Sequence, residues 1–130
     1  MDPNEALAEL TELSAQVEDA AILGESGFVL ASTGTPERGE QLAQAAAELL
    51  DAAGGVRGAG EVARVEVSLP EGSIFVVREG GRAAVATTVA RPTAGLVVYD
   101  LRTALGRLAE SESKPKPKPA RRRRTGTPDA

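Results

Sequence analysis

The segment Ser73-Ile74-Phe75-Val76-Val77-Arg78-Glu79 constrains the fold of this chain more than any other. In an extended chain, successive side chains point to opposite sides, so Ile74 and Val76 occupy one face and Phe75 and Val77 the other. A strand that is apolar on both faces belongs inside a sheet covered on both sides. Its neighbours supply that sheet. VARVEVSLP precedes it and RAAVATTVA follows, with Pro70-Glu71-Gly72 and Gly80-Gly81 as the intervening turns, which reads as an antiparallel meander. The first of these strands alternates, with Ala63, Val65, Val67 and Leu69 on one face and Val62, Arg64, Glu66 and Ser68 on the other.

Helices are needed to cover such a sheet, and the sequence offers three. Asp2, Pro3 and Glu5 form a helix start: a capping carboxylate, proline at the first position and an acid at the third. The spacing of Ala6, Leu10, Leu13 and Val17 predicts a helix over residues 3–16 with one buried stripe. Thr35-Pro36-Glu37 opens a second helix, expected to run to Ala53 and stop at Gly54-Gly55, where glycine suits a left-handed cap. Its polar residues Glu37, Gln41, Gln44, Glu48 and Asp51 fall on one narrow line, and Leu42, Ala43, Ala45, Ala46, Ala47, Leu49, Leu50, Ala52 and Ala53 make most of the rest of its circumference apolar. Such a helix needs more than one partner. A third carries Val97, Leu101, Ala104 and Leu108 on one face, after the break at Arg91-Pro92-Thr93. Between the first two helices, AAILGE and FVLAS, joined around Ser26-Gly27, read as a β-hairpin. The order is α-β-β-α-β-β-β-α.

Composition narrows the function. The chain holds neither cysteine nor histidine, which removes disulfides, thiolate chemistry and the usual neutral-pH base, and most metal sites with them. We therefore expect no cofactor and no catalytic or metal residue. The tempting candidates have plainer explanations. Gly54 to Gly60 follows a helix and precedes a strand, the reverse of a phosphate loop. Glu18-Asp19 reads as a solvated turn, and Thr87-Thr88 as strand residues with no activating base. No apolar run approaches the roughly 20 residues of a membrane span, and the acidic N-terminal stretch does not resemble a signal peptide. Both point to the cytoplasm. Heavy use of Ala, Gly and Arg suggests a GC-rich bacterial genome.

The formal charge of −4 conceals two opposed parts. Residues 1–113 hold 8 Arg against 18 Asp and Glu, giving −10; residues 114–130 hold 7 Lys and Arg against one Asp, giving +6. The composition breaks near Glu110, which predicts a folded domain over residues 1–110 and a disordered tail rich in Lys, Pro and Arg over 111–130. Lys114, Lys116, Lys118, Arg121, Arg122, Arg123 and Arg124 are its cations, kept extended by the alternating prolines. Such an arm suits an anionic membrane surface or a nucleic acid, read without sequence preference for want of an aromatic residue. Equally, it suits transient folding back onto its own acidic domain.

The hairpin AILGESGFVLAST and the block from Val62 to Leu108 resemble the roadblock (dynein light chain, MglB-like) family over about residues 3–108. The resemblance implies a five-stranded antiparallel sheet of the α+β class, with one helix on one face and two on the other. It also implies a homodimer formed through the third strand and the central helix. An antiparallel pairing of the third strand about Val65 sets Arg64 opposite Glu66 of the copy, so the strand complements itself. The Ala-rich flank of the central helix, Ala43, Ala46, Ala47 and Leu50, is the one expected to meet the copy. By the same resemblance, the partner is a small Ras-like GTPase, regulated or scaffolded without chemistry by this chain. Arg57 is the nearest candidate for an arginine finger.

Overall fold

A computed structural model of the chain describes residues 1–57 and 63–113. The element order is α1 (Pro3–Leu13), β1 (Val17–Leu23), β2 (Val29–Ser32), α2 (Pro36–Arg57), β3 (Arg64–Leu69), β4 (Gly72–Glu79), β5 (Arg82–Thr88) and α3 (Ala94–Ser113). The five strands form one antiparallel sheet in the order β2-β1-β5-β4-β3. The order of elements and the two-sided sheet are those the sequence predicts.

Alternation along the three inner strands builds two cores. Ala20 and Ile22 of β1, Phe75 and Val77 of β4, and Ala84 and Ala86 of β5 face α1 and α3. Their neighbours Ala21, Leu23, Val76, Ala83 and Val85 face α2, whose Leu42, Ala43 and Ala46 close over them. Val76, Val85 and Ala46 are fully buried. Ala83, Ala84 and Ala86 of β5 are all buried, the first toward α2 and the other two toward α1 and α3. Both cores lie within residues 6–108.

The ends of the elements show where local signals suffice. At the start of α1, Asp2 accepts from the Glu5 N–H at 2.8 Å while the Glu5 carboxylate accepts from the Asp2 N–H at 2.9 Å, a reciprocal cap worth about 1 kcal/mol. The hairpin between β1 and β2 turns on Gly27, whose φ of 91° lies where side chains are strained.

Two helix ends differ from expectation. α1 stops at Leu13, because Ser14 turns to extended backbone (φ −110°, ψ 102°) with its N–H still bonded to the Leu10 carbonyl. Gln16 is drawn into the next layer. Its backbone carbonyl accepts from the Val89 N–H, and its side chain accepts from the Thr93 N–H. Val17, expected on the helical stripe, instead begins β1 opposite Thr88.

α2 runs through Gly54 and Gly55 to Arg57. Neither glycine takes a positive φ; the intrahelical bonds outweigh the roughly 1 kcal/mol that each glycine costs against alanine. A Cβ on Gly55 would meet nothing within 4 Å. Gly55→Ala is therefore expected to stabilise the protein by about 0.5–1 kcal/mol, measured by urea unfolding. A left-handed cap at that position would give destabilisation instead.

Candidate functional site

Two open features stand out on this scaffold: the border of β3 and a groove beside α2. β3 pairs with β4 alone, so its other side is a free sheet edge. Its parity follows from one bond. The Arg78 N–H donates to the Ala63 carbonyl at 2.8 Å, and the register continues Arg64 to Val77, Val65 to Val76 and Glu66 to Phe75. In an antiparallel ladder, alternate residues turn both backbone groups to the same neighbour. Residues 63, 65 and 67 thus face β4, while Arg64, Glu66 and Ser68 present their N–H and C=O groups outward. The side chains of Arg64, Glu66 and Ser68 are exposed; Val65 and Val67 are half-buried, and Val65 packs against the α2-side core.

The helix flank expected to accompany this edge also borders a groove. Ala43 and Ala46 are buried against the chain's own sheet, Ala47 is exposed and Leu50 half-buried. Together the four line a groove of about 770 Å³, whose other walls are the turn from Gly24 to Gly27 and the segment around Arg78, Arg82 and Ala83. No β3 residue lines it. Since α2 does touch β3, that contact belongs to the opposite flank, where helical spacing places Ala45, Leu49, Ala52 and Val56. Leu49, like Leu50, Val65 and Ile74, packs against the α2-side core, and Val56 is 80% exposed. The apolar circumference of α2 thus offers two flanks, one on the groove and one toward β3. Only the crossing direction of the helix over the sheet decides between the two.

Asp19 is a second residue whose place the sequence did not reveal. Glu18 and Asp19 lie in β1, not in a solvated turn. The Asp19 carboxylate accepts from Arg38 Nε at 3.1 Å and from the Thr33 hydroxyl at 3.3 Å, and its N–H donates to Thr87 Oγ1 at 3.2 Å. This cluster ties β1 and β5 to the first turn of α2. At a third or more exposed, the ion pair contributes at most about 1 kcal/mol. Thr88, 2% exposed, accepts from the Ser73 N–H and donates to the Val89 carbonyl, so its hydroxyl is committed to the sheet.

Among the described residues no group of three His, Cys, Asp or Glu is placed to hold a metal ion, and no helix is long and apolar enough to cross a membrane. The expected polyanion-binding residues Lys114, Lys116, Lys118 and Arg121 to Arg124 lie outside the described residues, as do the side chain of Arg57 and residues 58–60 of the Gly54 to Gly60 segment.

A sheet of this order, open at β3 and sheathed by one helix on one face and two on the other, accords with the family comparison: the Roadblock/LC7 domain model matches residues 3–90. The chain belongs to the Roadblock/LC7 domain family. Several solved structures share its fold. A Roadblock/LC7 domain from Streptomyces avermitilis superposes with a TM-score of 0.75 at 19% identity, covering 88% of this chain and 100% of that one. MglB of Myxococcus xanthus gives 0.66 at 17% identity over 88% and 91%. An MglB in a tetrameric arrangement gives 0.62 at 19% identity over 82% and 84%. A comparison with curated protein sequences finds no match.

Proposed function

We propose that this Roadblock/LC7 chain is a homodimeric interaction module that regulates or scaffolds a small Ras-like GTPase and leaves the chemistry to that partner. The open border of β3 is the observation that carries the reading. Outward N–H and C=O groups on Arg64, Glu66 and Ser68 are the template for another strand. Because outward residues pair with outward residues, a two-fold axis falls on Val65, on Glu66 or one step beyond either. An axis on Glu66 sets that carboxylate against its own copy; an axis on Val65 sets each Arg64 opposite a Glu66. Opposite charges across a strand pair contribute roughly 0.2–1 kcal/mol each, and like charges oppose pairing by similar amounts. Charge therefore selects Val65. On the α2 side of the joined sheet, the Ala45, Leu49, Ala52 and Val56 flanks of two helices then meet above two copies of Val65.

The GTPase assignment is supported by family membership and by the likeness of the fold to MglB. In this reading the dimer biases the nucleotide state or placement of the GTPase by ordering the GTPase's own groups. Pull-down of a GTPase encoded beside this chain, loaded in turn with GDP and with a non-hydrolysable GTP analogue, tests it. Capture in one nucleotide state at least tenfold over the other is the expected outcome. Absence of capture in both would remove the GTPase from the account.

A further inference from the structure

The groove beside α2 is formed by a glycine-bearing turn, small helix residues and the β4–β5 turn, and it carries two carboxylates that no described cation engages, Glu25 and Asp51. Arg78 and Arg82 line the opposite wall. The Arg82 guanidinium is engaged by Glu112 near the end of α3. The α2 wall of the groove continues outward into the polar line of that helix, where Glu37, Glu40, Glu48 and Asp51 are all exposed. At 1.5 Å per residue, those acids extend over roughly 21 Å. The only base among residues 36–56 is Arg38, and it is held by Asp19.

The chain itself contains a segment of matching charge and reach. Glu112, two positions before Lys114, is bonded to Arg82 beside the β4–β5 turn, on the α3 face of the sheet and across that turn from the groove. Residues 114–124 carry seven positive charges and no negative one. At about 3.1 Å per residue in an extended proline-rich conformation, they span roughly 34 Å, enough to pass the β4–β5 turn and follow the acidic side of α2. We infer that residues 114–124 dock in cis along the groove and the acidic side of α2, and so cover that helix until a partner or a competing polyanion draws the segment away. Attraction between charges at such a surface is screened within about 8–10 Å at physiological salt, so docking is reversible and strongly salt-dependent.

The absence of cysteine makes a direct test practical. A nitroxide on Pro119→Cys, midway along the segment in the full chain, is expected to reduce the amide signals of Gly24, Gly27, Ala47, Asp51 and Gly54 to less than half intensity. Raising the salt to about 0.5 M is expected to restore them, as is the double variant Glu25→Lys, Asp51→Lys with the fold intact. Mixing spin-labelled chain without isotope with isotope-labelled chain lacking the cysteine separates the two sources of a tail; signal loss through the partner's tail only would overturn docking in cis. Even, weak broadening over the whole surface, or broadening concentrated at Leu13 and Tyr99 between α1 and α3, would overturn it too. The readout involves no GTPase, so its failure leaves the regulatory reading to its own test.

Discussion

Gly72→Ala is expected to leave little or no folded protein. At this position φ is 158°, and an added Cβ would stand 2.0 Å from the Thr88 carbonyl oxygen and 3.1 Å from its carbon. The obstacle is backbone, so it cannot swing aside as a side chain would. Relief requires moving the start of β4 away from the end of β5, where the Ser73 N–H donates to the buried Thr88 hydroxyl at 3.1 Å and Ile74 pairs with Thr87. Strained backbone of this kind costs about 1–3 kcal/mol, and the lost contacts add to it. Against a total stability of roughly 5–15 kcal/mol for a domain, we expect a loss of at least about 3 kcal/mol, read by urea unfolding followed by circular dichroism. Gly55→Ala, on an open side of α2, is the matched comparison and is expected to move the opposite way.

The second large effect concerns assembly. Glu66→Arg is expected to weaken the dimer about thirtyfold. At a two-fold axis through Val65, the substitution turns two Arg64–Glu66 pairs into two pairs of like charge. Losing up to about 1 kcal/mol at each amounts to roughly 2 kcal/mol, near thirtyfold in a dissociation constant. Arg64 and Glu66 are exposed within the single chain, so the folding stability of the monomer stays within about 0.5 kcal/mol. The exchange Arg64→Glu with Glu66→Arg restores opposite charges across the axis and is expected to recover most of the affinity. Recovery separates pairing in this register from a general effect of charge, which the exchange leaves unchanged. Sedimentation velocity over a concentration series reads all three proteins.

How much of this was legible beforehand depended on the range of the interaction involved. Apolar alternation in Ile74, Phe75, Val76 and Val77 and the turn glycines are local signals, and they settle the meander and the two cores. The capping box at Asp2 is equally local. Which flank of α2 meets β3 is a different matter, because helical spacing identifies apolar positions without saying how the helix crosses the sheet. Ala43, Ala47 and Leu50 line the groove, while Leu49 and Leu50 both pack, as Val65 does, on the α2-side core. Asp19 was obscure for a similar reason, since its partners Thr33, Arg38 and Thr87 are brought to it by the fold. Gly54 and Gly55 show the converse. A strong local stop signal yields to a helix whose preceding turns are anchored on the sheet through Leu42, Ala43 and Ala46.

Self-pairing through β3 underlies the proposed role, and the molar mass in solution interrogates it most directly. Sedimentation equilibrium of the intact chain at micromolar concentration is expected to return twice the 13.4 kDa of one chain, with Glu66→Arg shifted toward a single chain and the charge exchange shifted back. A mass of one chain at every concentration, or a dimer indifferent to both substitutions, would contradict it.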